Sequence, residues 1–508
     1  MGSATIAILG VGAVLLGAVC ALVLDAFSLR RSATLAALAG VTVALAFSTW
    51  AASTQPVTTA WGVLRVGGPF STVTAIVCLT ALLALIGGWP HFTEGRSGGT
   101  LASLVGLSAA ASVVVATSRD ITMLLIALET AAVCAYALVS ASRTRRAREA
   151  GMKYFIQGAI ATGFLLVGIA ALVAVFIPQG DLNGLGRLFA HGALYTVAMV
   201  GVVSLLAVLA FKAGAAPFYS WAPDVYETTA PEITAFLAAG PKVAAITALT
   251  VILELVASDS SASTASVRGV TAIAMIVSVM AVASVLVGSL VALRQRSLTR
   301  MLAYAGIAQV GYALVGASTL NNPAAAVFFV STYALATVGT FMAAAAYARI
   351  DADWDGSIEG LAGMGRRAPV LSASLSVLLL SLAGIPPLLG FWGKLVVFGG
   401  VLLQASSAFA AGLTTVGWMS AITASVGILG SIVSLGYYGT VLRALYLLPA
   451  IQRFPDETAE PPETPQSAPH GAGLAVAVVA GVAIAVIVLG LLPLASGLTP
   501  LVTPFVPH

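Results

Sequence analysis

Four ionisable residues, Glu129, Lys212, Lys242 and Lys394, stand within long apolar stretches of the sequence. A charge at the middle of a bilayer costs about 2.5–3.5 kcal/mol on insertion scales, so such residues are rare unless they serve a function. A long side chain relieves the cost by reaching the headgroups only when it lies near the interface. Glu129 is the ninth residue of the run 121–141, and Lys242 lies near the middle of 233–253, so both are too deep for that escape. Lys212 and Lys394 stand nearer the ends of their runs, at positions tied to Pro217 and to Pro386-Pro387. A helix broken at those prolines would draw both lysines inside. The only other lysine of the chain, Lys153, stands at a helix entrance. Burial disfavours a charged amine and a nearby carboxylate favours it. Lysines and a glutamate on separate helices can therefore pass protons near neutral pH, as a relay rather than a binding pocket. Tyr304, Gln309 and Tyr312, on one helix, could order water beside such a relay or equally hold helices together. A structural alternative remains open, in which the buried charges only specify helix packing.

The elements that position these groups follow from composition. The 508 residues are 59% hydrophobic and 8% charged, against about 45–50% and about 25% in a typical soluble domain. A bilayer core about 30 Å thick needs roughly 20 apolar residues per helix. Fourteen runs qualify, at 4–24, 33–52, 70–89, 100–117, 121–141, 152–177, 191–222, 230–254, 269–292, 301–318, 324–347, 369–404, 411–447 and 472–495. The expected fold is an all-α polytopic membrane protein, a single transmembrane domain over 1–508, with breaks at Pro217, Pro386 and Pro387. The segment 454–471, rich in Pro and Glu, reads as a polar linker before a last transmembrane helix at 472–495. Loops 1–2, 3–4, 5–6, 9–10, 11–12 and 13–14 carry sixteen of the 23 basic residues, and the other side carries Arg65, Arg119, Arg187 and Arg268. By the positive-inside rule both termini face outward. Ala213-Gly214-Ala215-Ala216-Pro217 with Trp221 is echoed by Ala383-Gly384-Ile385-Pro386-Pro387 with Trp392, five spans later. An odd offset inverts orientation, so spans 4–8 and 9–13, residues 100–254 and 269–447, form a pair of inverted repeats, a device of transporters.

Other chemistries find no residues. Cys20, Cys78 and Cys134 are far apart, as are His91, His191, His470 and His508, so no metal, haem or iron–sulfur ligand set is expected. Gly10-Val11-Gly12 lies inside an apolar run without a strand before it, and no nucleotide-binding glycine-rich loop with its lysine occurs. The basic residues are spread over short loops rather than gathered in a patch, which argues against nucleic acid as a partner.

The stretch from Phe211-Lys212-Ala213-Gly214 through Pro217-Phe218-Tyr219-Ser220-Trp221-Ala222-Pro223-Asp224-Val225-Tyr226-Glu227, with Thr234-Ala235-Phe236-Leu237 and Pro241-Lys242, resembles the antiporter-like membrane subunits of respiratory complex I. Asp224-Val225-Tyr226-Glu227 resembles subunit N of the bacterial proton-translocating NADH–quinone oxidoreductases in particular. The likeness continues through Arg300-Met301-Leu302-Ala303-Tyr304, Gly311-Tyr312 and Gly384-Ile385-Pro386-Pro387 to Phe391-Trp392-Gly393-Lys394, and covers roughly residues 100–450. It implies that Glu129 and Lys212 act as a switchable pair, Lys242 as the central relay lysine and Lys394 as the terminal one. Sister subunits of type M usually have glutamate where Lys394 stands. Gln309 occupies a place where many relatives have a histidine, and glutamine can orient water but cannot carry the proton itself. The resemblance further implies a bacterial plasma membrane, neighbouring membrane subunits as partners, and no cofactor in this chain, with NADH, FMN, iron–sulfur clusters and quinone handled by partner subunits. A subunit of a multisubunit sodium/proton antiporter of the Mrp type is the alternative, since it shares the lysine scheme.

Overall fold

A computed structural model of the chain describes residues 3–495 apart from 59–61, 96, 143, 176–181, 183–184, 186–194, 259–263, 320–322 and 450–471. The expected linker 454–471, together with Arg143, Arg187, His191, His470 and His508, falls outside the described residues. The architecture is helical. Its elements are α1 (Ser3–Ala26), α2 (Arg30–Ala51), α3 (Gly68–Gly87), α4 (Trp89–Glu94), α5 (Gly98–Thr117), α6 (Ile121–Ser140), α7 (Arg145–Val175), α8 (Tyr195–Ala213), α9 (Trp221–Thr228), α10 (Pro231–Leu237), α11 (Gly240–Ala257), α12 (Thr264–Ala292), α13 (Leu298–Ala317), α14 (Pro323–Ile350), α15 (Met364–Arg367), α16 (Pro369–Ala383), α17 (Leu389–Ala410), α18 (Thr414–Tyr446) and α19 (Ala472–Ala495). A short hairpin, β1 (Val57–Thr58) with β2 (Arg65–Val66), lies between α2 and α3. Among the described residues, thirteen helices are long and apolar enough to cross a membrane, or up to fourteen when the bent pair 359–367 and 369–383 is one span.

Each of the fourteen predicted runs holds a helix. α13 is not among the helices that qualify by length and apolarity. Its residues are buried by neighbouring helices apart from the half-buried Thr299, Arg300 and Tyr304. A helix solvated by protein has no lipid-facing side to make apolar. α12 packs close against it, because a Cβ added at Gly288 would stand 2.4 Å from the Ala308 nitrogen and one at Gly311 2.8 Å from the Val285 nitrogen. Such close backbone approach is a usual role of small residues between membrane helices.

Three interruptions matter for the site. α8 stops at Ala213 and α16 at Ala383, each followed by a glycine with positive φ, Gly214 at 75° and Gly384 at 89°. Glycine takes that left-handed conformation without the penalty of a Cβ. The breaks therefore begin a few residues before the prolines that the sequence singled out, and the Ala216-Pro217 and Pro386-Pro387 bonds that follow are both cis. The third interruption is a local one inside the expected span 230–254, which the structure keeps as one membrane-crossing stretch, Pro231–Ala257. The chain leaves helix at Ala238-Ala239 and re-enters at Gly240, with Pro241 in the first turn of α11. Proline has no N–H to give and fits only at a helix start. Lys242 consequently lies near the middle of that stretch, in the first turn after the local break.

Contacts between loops fit the expected alternation of sides. On one side Asp25, in the last turn of α1, accepts from the backbone N–H of Thr100 at 2.8 Å. There too Asp224 of α9 joins Lys153 of α7 at 3.2 Å and Arg300 of α13 at 3.0 Å, and Arg300 also meets Glu227 at 2.8 Å. On the other side the N–H of Arg119 donates to the Val63 carbonyl and that of Leu182 to the Arg119 carbonyl.

Candidate functional site

Lys242 is 1% exposed, and no hydrogen-bond partner for its Nζ is present among the described residues. What surrounds it is aromatic. Nζ lies 5.3 Å from the centre of the Tyr226 ring and 5.9 Å from that of Tyr333. Two glycines make room for it, since a Cβ at Gly306 of α13 would stand 3.2 Å from Nζ and one at Gly214 3.9 Å. The amine thus sits where the α8 break, α9, α13 and α14 converge. The two tyrosine hydroxyls reach the interruption that precedes Lys242. Tyr226 donates to the Leu237 carbonyl at 3.5 Å and Tyr333 to the Ala238 carbonyl at 3.3 Å. These carbonyls have lost the helical partners that an unbroken helix would supply.

Lys394 is held differently. Its Nζ donates to the Ala383 carbonyl at 2.8 Å and to the Ser431 hydroxyl at 2.7 Å, above the Tyr312 ring at 4.9 Å. Gln309 donates its side-chain amide to the Leu382 carbonyl at 2.9 Å. Lys394 and Gln309 together cap the broken, buried end of α16, and the structure thereby brings Gln309 and Tyr312 near Lys394. Tyr304 stays half-buried and touches no lysine amine among the described residues.

Glu129 and Lys212 are not joined by a salt bridge among the described residues. Glu129 accepts from the Thr162 hydroxyl of α7 at 2.8 Å. Lys212 lies over the Tyr136 ring, 5.8 Å from its centre. Tyr136 follows Glu129 by seven residues on α6, which puts it on the same face about 10 Å further along the axis. The amine and the carboxylate therefore occupy separate stations along one helix face, with the pair open. Beside Lys212, a cavity of about 280 Å³ reaches the α8 break, lined by Gln157, Phe211, Pro217 and Ser220 among others.

Sequence reasoning missed Thr162, Tyr136, Tyr333 and Ser431, which nothing in their local sequence distinguishes. Tyr226 lay in view within Asp224-Val225-Tyr226-Glu227. The pair Glu232–Arg349 was also missed. Arg349 of α14 bridges Glu232 of α10 and donates to the Gly87 carbonyl at the end of α3 at 3.1 Å. Among the described residues no cluster of three or more His, Cys, Asp or Glu is placed to hold a metal ion.

Residues 118–423 match the family model described as NADH:quinone oxidoreductase/Mrp antiporter, transmembrane region. Subunit N 2 of the NADH-quinone oxidoreductase of Acidobacterium capsulatum is 34% identical over 445 residues, covering 84% of this chain and 86% of that protein. The chain belongs to the subunit N family of NADH-quinone oxidoreductases. Among solved structures, a chain of respiratory complex I from Thermus thermophilus superposes on this member of the family with a TM-score of 0.73 at 30% identity, covering 95% of this chain and 97% of that one. A chain of the Mrp complex from Dietzia sp. DQ12-45-1b has the same fold, with a TM-score of 0.78 at 20% identity over 99% of this chain and 96% of that one. The fold is therefore shared across both groups, while the sequence relatives at 31–35% identity carry the subunit N name.

Proposed function

We propose that this subunit N moves protons across a bacterial plasma membrane through Glu129, Lys212, Lys242 and Lys394, while partner subunits pass electrons from NADH to a quinone. The observation that carries the proposal is the placement of Lys242, an amine inside the helix bundle facing aromatic rings and a broken helix instead of a counter-ion. Unwound backbone at membrane depth is tolerated where it lines a hydrated cavity, and lysines beside it can hand protons to water. In the cycle, Lys212 closes on Glu129 to take up a proton and opens toward Tyr136 to release it. Lys242 receives the proton, and Lys394 delivers it to the far side by leaving the Ala383 carbonyl at the end of α16. Residues 100–254 and 269–447 act as inverted repeats around this line, and their matching glycine–proline breaks support that reading. The termini face outward, the basic loops face the cytoplasm, and neighbouring membrane subunits of the complex are the partners. Flavin, iron–sulfur clusters and quinone chemistry belong to those partner subunits.

Lys242→Ala tests the proposal directly. The complex should assemble and oxidise NADH with an artificial acceptor, but proton pumping and coupled quinone reduction in sealed vesicles should fall. Lys242→Arg should fail in the same way, because a guanidinium keeps its proton. Full pumping by either variant overturns the relay.

A further inference from the structure

A second polar cavity, remote from the lysines, opens on the face that carries the basic loops. It measures about 550 Å³ and lies between the α12–α13 loop, the turn at 358–359 and the end of α18. Gln295, Arg296, Thr440 and Arg443 supply its polar wall, and Glu359 is the one carboxylate among the lining residues. Arg296 and Arg443 are exposed and make no salt bridge among the described residues. Arg443 stands in the last turn of α18, where it complements the helix dipole yet leaves its guanidinium open to the cavity.

The surroundings show what kind of anion fits. Leu429, Ile432, Gly436, Thr440 and Arg443 follow one another at helical spacing on α18, and all are exposed. Leu286, Leu290 and Leu293 form a parallel exposed row on α12. The two helices touch where a Cβ at Gly436 would meet Leu293 at 2.9 Å, whereas beside Gly439 nothing stands within 4 Å. An apolar furrow with a low wall therefore runs from the bilayer up to two unpaired guanidiniums. Arginine recognises phosphate by bidentate hydrogen bonds, and basic pockets at the ends of membrane helices suit anionic headgroups.

We infer that this cavity is a binding site for an anionic phospholipid, with its phosphate between Arg296 and Arg443 and its acyl chains along the α12–α18 furrow. The complex carrying the wild-type chain or R296Q/R443Q would be extracted in neutral detergent. It would then be incubated with vesicles of phosphatidylcholine, with or without phosphatidylglycerol, and the retained lipid counted by mass spectrometry. The wild type should retain phosphatidylglycerol in preference to phosphatidylcholine, and high salt should weaken that preference. The double variant should bind phosphatidylglycerol roughly 30-fold more weakly, since each basic residue near an anionic surface contributes about 1 kcal/mol. Equal retention by the variant, or equal retention of the two lipids by the wild type, overturns the site. Displacement of phosphatidylglycerol by inorganic phosphate alone overturns the lipid assignment. Where the double variant does not assemble, R443Q and the salt series decide: retention of phosphatidylglycerol that is weakened in R443Q and by salt supports the site, and retention unchanged in R443Q or undiminished by salt overturns it.

Discussion

The amine of Lys242 faces the rings of two tyrosines whose hydroxyls are occupied elsewhere. A cation over an aromatic face gains about 0.5–2 kcal/mol, more when desolvated. Ring and hydroxyl thus have separable tasks. Tyr333→Phe keeps the ring and removes only the bond to the Ala238 carbonyl, worth about 0.5–1.5 kcal/mol, so pumping should largely persist. Tyr333→Leu removes the ring and should depress pumping without loss of assembly. Equal pumping rates in the two variants would show that the ring plays no part. The open pair at Glu129 and Lys212 calls for a different comparison. If the two groups meet during turnover, Glu129→Gln and Lys212→Met should each pump poorly and the double variant little worse than either. Multiplicative losses, measured in vesicles with normal assembly, would mean independent action. The four charged positions were legible in the sequence because apolar neighbours make a charge conspicuous. Their aromatic partners were not, because a tyrosine in an apolar run looks like any packing residue until α9 and α14 bring its ring to the lysine.

Broken helices are the elements on which the site hangs, and their glycines differ in what surrounds them. Gly384 has φ 89° and a Cβ there would stand 2.8 Å from Cδ of Lys394. Gly214 has φ 75° and its Cβ would meet nothing closer than 3.8 Å. Both Gly→Ala changes incur left-handed strain of about 1–2 kcal/mol, but only Gly384→Ala also pushes Lys394. Pumping per assembled complex should therefore fall more in Gly384→Ala than in Gly214→Ala, and a reversed order would contradict the geometry. The sequence showed both breaks through their prolines, since proline is the visible sign of a helix that stops. It did not show the interruption before Lys242. There Pro241 sits at the start of α11, an ordinary place for proline, although its missing N–H is what leaves the Leu237 carbonyl without a helical partner, and the step itself falls on two alanines whose type carries no signal.

At the scale of the molecule, one buried pair fastens distant parts of the chain. Arg349 bridges Glu232 and the end of α3, so α3, α10 and α14 share a single polar joint next to the interruption that carries Lys242. Removing one partner of a buried pair strands the other charge, at about 3–5 kcal/mol. Glu232→Gln and Arg349→Met should each lower the unfolding temperature of the extracted complex, and the double change should recover part of the loss. Additive destabilisation would mean that the two side chains act separately. Such a joint is hard to read from sequence, because Glu232 and Arg349 lie near run ends, where a charge is expected at the headgroups. α13 has a consequence for synthesis as well as for packing. Its sequence is less suited to partition alone into lipid than its neighbours, although it holds Gln309 and Tyr312. A nascent chain should therefore retain α13 at the insertion machinery until α14 emerges, with α12 already in place beside it through Gly288 and Gly311. A released fragment ending at residue 320 should leave α13 accessible to a membrane-impermeant thiol reagent at an introduced cysteine. A fragment extended through Ile350 should protect it. A helix largely enclosed in the finished protein would then be one that enters the membrane only in company.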